Sequence, residues 1–326
     1  MKKNTLQGTM AALGLLVLIL DGTLALEGAR AGIDLCIRTV IPALFPFFVL
    51  SGILTASLSG NLPRPVLFLA DLLQIPPSAA PVLVPAILGG YPVGAKCVGD
   101  LHRQSRISTV QAQRLLAFSS NAGPSFLFGM VSGFFPEGKS IWLLWGIHLC
   151  SALLTARVFP PPEQQDSAEL PTANPKGTDT ILSSARAMVT VCCWVVLFRI
   201  LIAFLESWFL WILPAWAQVL ATGFLELTNG CCALYQVAEK NLRFVLCSCM
   251  LAWGGICVLL QTASVTNGLS LQNYIRGKLL QTLFSFLLSS AVVHKKGWMA
   301  ACLILIFLII FRKFENRYGN PGIVPV

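Results

Sequence analysis

The chain has 326 residues, 56% of them hydrophobic and only 11% charged, with a mean hydropathy of +0.74; soluble domains carry about a quarter charged residues, so a water-soluble globule is excluded. Lys and Arg (23) outnumber Asp and Glu (14), a net charge of +9. The cations stand singly or in pairs at the ends of apolar runs (Lys2 and Lys3, Arg103 and Arg106, Lys295 and Lys296, Arg312 and Lys313), as cytoplasmic loops are marked; no continuous basic face argues for nucleic acid.

In chain order, Lys2-Lys3 and the apolar stretch Met10 to Leu20 imitate a secretory signal, but the chain that follows is a full helical bundle, so an uncleaved first span over 6–26 is predicted. Further spans are predicted over 39–59, 140–158, 187–205, 244–262, 271–293 and 297–311, each near the roughly 20 residues a membrane helix needs. Between them, 62–75, 79–92, 121–136 and 208–228 are apolar but interrupted by Pro or Gly, and read as half-spanning or re-entrant pieces that need a protein-lined or wet setting.

From Phe159 to Thr180 the sequence turns Pro-rich and acidic, an extramembranous linker. It divides the chain into a first membrane half (1–158), the linker (159–180) and a second membrane half with a basic tail (181–326). The expected fold is an all-α polytopic helical bundle with discontinuous helices. Each half holds two Gly-rich breaks around a polar stretch: GGYPVGAK (Gly89 to Lys96) and SSNAGPSFLFG (Ser119 to Gly129), then ELTNGCC (Glu226 to Cys232) and WGGICVLLQT (Trp253 to Thr262). Interruptions at corresponding places in two hydrophobic halves point to a transporter built from an internal repeat, with its site at the midplane.

These breaks supply the candidate site. In GGYPVGAK, Gly89, Gly90 and Gly94 permit close approach or positive φ, and Pro92, after Tyr91, removes a backbone donor, freeing backbone groups for a solute; a tight helix crossing is the structural alternative. Lys96 lies one helical turn before Asp100 and either pairs with it or meets an anionic solute. Asn121, before Gly123-Pro124, is either a binding amide or a helix cap. Glu226 closes an uncharged run, and an intramembrane carboxylate is a functional candidate for holding a proton, a coupling Na+ or the substrate, with Asn229 beside it; an interfacial Glu is the alternative. Gln261 lines a cavity or glues helices. Arg199 either holds a carboxylate or pairs with Glu206, and His102, His148 and His294 read as loop or packing residues. Neither a nucleophile–base–acid set nor a metal quartet can be assembled, so catalytic, metal and cofactor roles are not expected. The 11 cysteines read as reduced small hydrophobes.

The blocks IPALFPFFVLSGIL (Ile41 to Leu54), GGYPVGAKCVGDL (Gly89 to Leu101), RLLAFSSNAGPSFLFG (Arg114 to Gly129), GFLELTNGC (Gly223 to Cys231) and WGGICVLLQ (Trp253 to Gln261) resemble the YlbJ-type sporulation integral membrane proteins, a branch of the nucleoside-recognition, or Gate-domain, family. The resemblance implies a bundle related to concentrative nucleoside carriers and, for this branch, movement of dipicolinic acid across the cell membrane surrounding the forespore. The linker and the cysteine-rich second half depart from that pattern. Two other readings stay open: a carrier of nucleosides or another neutral metabolite, and a membrane scaffold acting in spore-envelope assembly through the linker and the tail Arg312 to Arg317. Membrane lipid is an expected partner, and self-association into a homo-oligomer is compatible with the pattern.

Overall fold

The computed structural model describes residues 2–57, 62–135, 137–161, 177–266 and 268–296. The described residues form helices and turns with no strand: α1 Lys2–Leu20, α2 Gly22–Leu35, α3 Ile41–Ser57, α4 Arg64–Leu72, α5 Leu83–Leu88, α6 Val93–Arg103, α7 Thr109–Leu116, α8 Pro124–Gly129, α9 Gly138–Val158, α10 Gly177–Trp208, α11 Ala215–Leu225, α12 Leu227–Ala233, α13 Lys240–Trp253, α14 Ile256–Val265 and α15 Gln272–Val293. The basic tail, the span expected over 297–311 and most of the linker lie outside the described residues.

Among the described residues, four stretches are long and apolar enough to cross a membrane: Gly22–Leu50, Gly138–Val158, Ile181–Trp208 and Lys240–Val265. Large apolar side chains such as Ile19, Phe68, Trp142, Trp211 and Ile212 stay exposed, a surface suited to lipid rather than water.

The N-terminal region departs from the hydropathy reading. A single span over 6–26 is divided, because the Asp21 carboxylate accepts the Leu24 N–H at 3.1 Å and caps a new helix. That helix continues through a π-helical turn, Cys36–Val40, into α3, so the expected start at 39 falls inside a longer helix. It packs along α10 through Gly28 and Gly32; a Cβ on Gly32 would lie 2.9 Å from the Val196 backbone, the close approach that small residues allow.

The interrupted pieces are short helices. Ser108 and Gln111 form a capping box that starts α7. Arg114, buried on α7, donates to the carbonyls of Phe159 (2.9 Å), Gln74 (3.0 Å) and Leu73 (2.6 Å), tying two connecting segments to the core. The span expected over 244–262 is broken at Gly254 (φ +81°) and Gly255 (φ +96°), where a left-handed turn separates α13 from α14 and glycine alone is unstrained. The helix over 271–293 forms as α15, with one buried polar stripe: Tyr274, Lys278, Gln281, Ser285 and Ser289.

Candidate functional site

Two crossings of broken helix organise the centre. In the first, the α5–α6 break meets the α7–α8 break. Gly90 takes φ +76°, and a Cβ on Gly123 would stand 2.8 Å from the Gly90 nitrogen, so only glycine lets these backbones touch. Gly94 abuts the Ser119 carbonyl with no room for a Cβ. In the second, the α11–α12 break meets the α13–α14 break: a Cβ on Gly255 would sit 3.0 Å from the Leu225 oxygen, and Trp253 stacks on Phe224 (centroids 5.2 Å apart) while its indole N–H donates to the Phe224 carbonyl at 3.0 Å.

Tyr91 joins the two crossings. Its hydroxyl donates to the Leu251 carbonyl at 2.8 Å, where the end of α13 leaves acceptors free, and its ring lies against Gly254, whose added Cβ would be 3.2 Å away. Between the crossings lies a cavity of about 40 Å³ bounded by Gly90, Tyr91, Gly123, Phe126, Glu226 and Gln261, with Thr39 and Val195 on the remaining sides. A volume of that order holds a water molecule or two.

Glu226, 2% exposed, is the N-cap of α12. Its carboxylate accepts the backbone N–H of Thr228 (3.0 Å) and Asn229 (2.7 Å) and the Asn229 side-chain amide (2.7 Å). These three donors satisfy both oxygens of the buried carboxylate. Its charge sits at the positive end of a helix, where an anion is favoured.

Of the sequence-predicted residues, Gly90, Tyr91, Gly123, Glu226 and Gln261 border the cavity, and Asn229 supports Glu226 from behind. Gly89, Pro92 and Gly94 shape the first break. Asn121, 3% exposed, is turned away from the cavity, with its amide donating to Ala86 (3.1 Å) and Phe118 (2.8 Å) carbonyls. Lys96 is not brought to the cavity. It pairs with Asp100 at 2.8 Å and faces an outer depression with Arg103, Arg186 and Ser264. Arg199 pairs with Glu206 at 2.9 Å.

Sequence reasoning missed Lys278. Its ammonium, 1% exposed, donates to the Tyr91 hydroxyl (3.2 Å), the Gln281 side-chain oxygen (2.6 Å) and the Ser120 carbonyl. Gln281 in turn donates to the Asn121 oxygen at 2.9 Å, and His148, on α9, accepts the Ala122 N–H at 3.0 Å through Nε2. His148 is thus more than a packing residue: it satisfies a backbone donor freed by the α7–α8 break. A polar face every three or four residues on an apolar helix, visible at 274, 278, 281, 285 and 289, was the available signal.

The chain is 33% identical over 147 residues to the sporulation integral membrane protein YlbJ of Bacillus subtilis (strain 168), a match covering 43% of this chain and 36% of that protein. This is a multi-pass membrane protein related to YlbJ. The matched region thus spans about a third of the relative's length. No family model matches the chain, and no solved structure does. Among the described residues no cluster of His, Cys, Asp and Glu is placed to hold a metal ion.

Proposed function

We propose that the protein is a membrane transporter, not an enzyme, and that it moves a small anionic aromatic carboxylate, with dipicolinic acid the first candidate, across the membrane surrounding the forespore. The observation that carries this reading is the cavity shared by the two crossings, whose wall combines the Tyr91 and Phe126 rings with Glu226 and Gln261. Aromatic walls suit a flat ring. Freed backbone groups and helix termini suit its polar edge. Glu226 holds the coupling proton or cation, while Lys278 stands one hydrogen bond behind Tyr91 and braces that wall of the cavity. Break meeting break in each half also fits a two-half repeat of the concentrative nucleoside carrier kind.

A cavity of about 40 Å³ is too small for a pyridine dicarboxylate, so the two crossings separate to admit cargo, and transport alternates between closed and open arrangements. A second reading, a neutral cargo such as a nucleoside, is favoured by one feature: the cavity wall bears a carboxylate, while Lys96 lies elsewhere. Uptake of labelled dipicolinate and labelled uridine into vesicles holding only this protein separates them. Saturable dipicolinate uptake unaffected by excess uridine is expected; uridine uptake alone transfers the proposal to the neutral cargo, and no uptake of either removes it.

A further inference from the structure

Lys278 is a buried cation without an acid. None of the salt bridges among the described residues involves it, although removing a charge from water is expensive unless the protein replaces its hydration. Here the replacement consists of three oxygens from three segments: the Ser120 carbonyl at the α7–α8 break, the Tyr91 hydroxyl at the α5–α6 break and the Gln281 side chain on α15 itself. The Tyr91 ring centroid is 4.9 Å from the ammonium nitrogen, which meets the ring at its hydroxyl edge. A carbonyl, a hydroxyl and an amide oxygen are the donors that a hard cation takes in place of water.

We infer that the Lys278 ammonium is a tethered cation standing where a mobile monovalent ion would otherwise bind, so that the first crossing is assembled without Na+. The placement accounts for the geometry. Ser120 and Tyr91 belong to the two strands of backbone that Gly90 and Gly123 bring together, and the ammonium bonds to both while Tyr91 passes the link on to Leu251. The cation is thus the junction of three elements, a position at which an ion supplied from solution would make closure depend on its concentration. A covalently attached ion removes that dependence. The cation requirement of this crossing is then distinct from whatever Glu226 binds in the second.

This inference deepens the transport reading but is tested by a readout that needs no cargo. The melting temperature of the purified protein is measured in NaCl, methylammonium chloride and choline chloride at equal ionic strength, for wild type, Lys278→Ala and Lys278→Met. The wild type is expected to melt alike in all three salts. Lys278→Ala, which vacates the oxygen shell, is expected to melt several degrees lower in choline and to recover in Na+ or methylammonium; Lys278→Met, which fills the space without charge, is expected to melt low in all three. A wild type that requires Na+, or a Lys278→Met protein as stable as wild type, overturns the inference, as does a Lys278→Ala protein with the same lowered melting point in every salt. Should the alanine variant not be obtained, Lys278→Ser, which also vacates the oxygen shell, is read in its place with the same two outcomes. Failure of uptake with these thermal results intact would count against the transport reading alone.

Discussion

The hydroxyl of Tyr91 donates to the carbonyl of Leu251 across 2.8 Å, joining a break in the first half of the chain to one in the second, 160 residues away. The same hydroxyl accepts from Lys278 at 3.2 Å. One phenol therefore links two helix interruptions and a buried cation, and it forms part of the cavity wall.

Tyr91→Phe retains the ring but leaves the Leu251 carbonyl and Lys278 short of a partner. A buried polar group left unsatisfied costs about 1–3 kcal/mol, so the variant should unfold at lower temperature than wild type in the same detergent. Dipicolinate uptake should fall more than the amount of folded protein does. Uptake in proportion to folded protein would reduce Tyr91 to a structural link.

The glycines at the crossings should differ sharply from glycines elsewhere. Gly94→Ala drives a methyl into the Ser119 carbonyl, whereas a Cβ on Gly146, within α9, meets nothing within 4 Å. Gly146→Ala should be neutral or stabilising by about 0.5–1 kcal/mol, as expected for replacing a mid-helix glycine. Gly94→Ala should lower the yield of monodisperse protein severely. Comparable yields of the two, measured by size-exclusion chromatography, would mean the backbones are not in contact.

Glu226 has a capping role and a proposed transport role, and two substitutions divide them. Glu226→Ala removes the acceptor for Thr228 and Asn229 and should cost about 1–2 kcal/mol, the range for a lost N-cap. Glu226→Gln keeps one acceptor oxygen, turns its NH2 towards the backbone N–H that the other oxygen satisfied and removes the charge, so it should melt below wild type by the equivalent of about 1–3 kcal/mol and lose uptake beyond the loss of folded protein. Full uptake by the glutamine variant would withdraw the coupling role from this carboxylate.

Lys96→Ala should leave the half-saturating cargo concentration unchanged, because its ammonium is committed to Asp100 at 2.8 Å and faces the outer depression. The stability cost should exceed the roughly 1 kcal/mol of an exposed ion pair, because Lys96 is buried and its loss leaves Asp100 with Arg103 alone. A large rise in half-saturation would place the outer depression on the cargo's path.

The helix interruptions were legible in the sequence because glycine and proline act locally: GGYP, NAGP and WGG each dictate a backbone that no neighbouring residue can repair. Which side chains then face the centre was not legible to the same degree. Lys96 adjoins a break in sequence but is turned to Asp100 by its place on the first turn of α6. Lys278 lies 187 residues from Tyr91 and becomes its neighbour only through helix packing. Hydropathy also merged α1 with α2, since a single Asp21 hardly changes an averaged window although its carboxylate restarts the helix. The scale of the apolar content was sufficient to recognise a membrane protein; the orientation of a few polar groups inside it required the fold.

The most direct test of the central claim, that backbone from both halves meets around the site, is photocrosslinking in membranes with p-azidophenylalanine placed at Tyr91. Adducts mapped by mass spectrometry should fall on residues 251–255, the end of α13 and the following glycines. Adducts confined to lipid or to the first half of the chain would contradict the account.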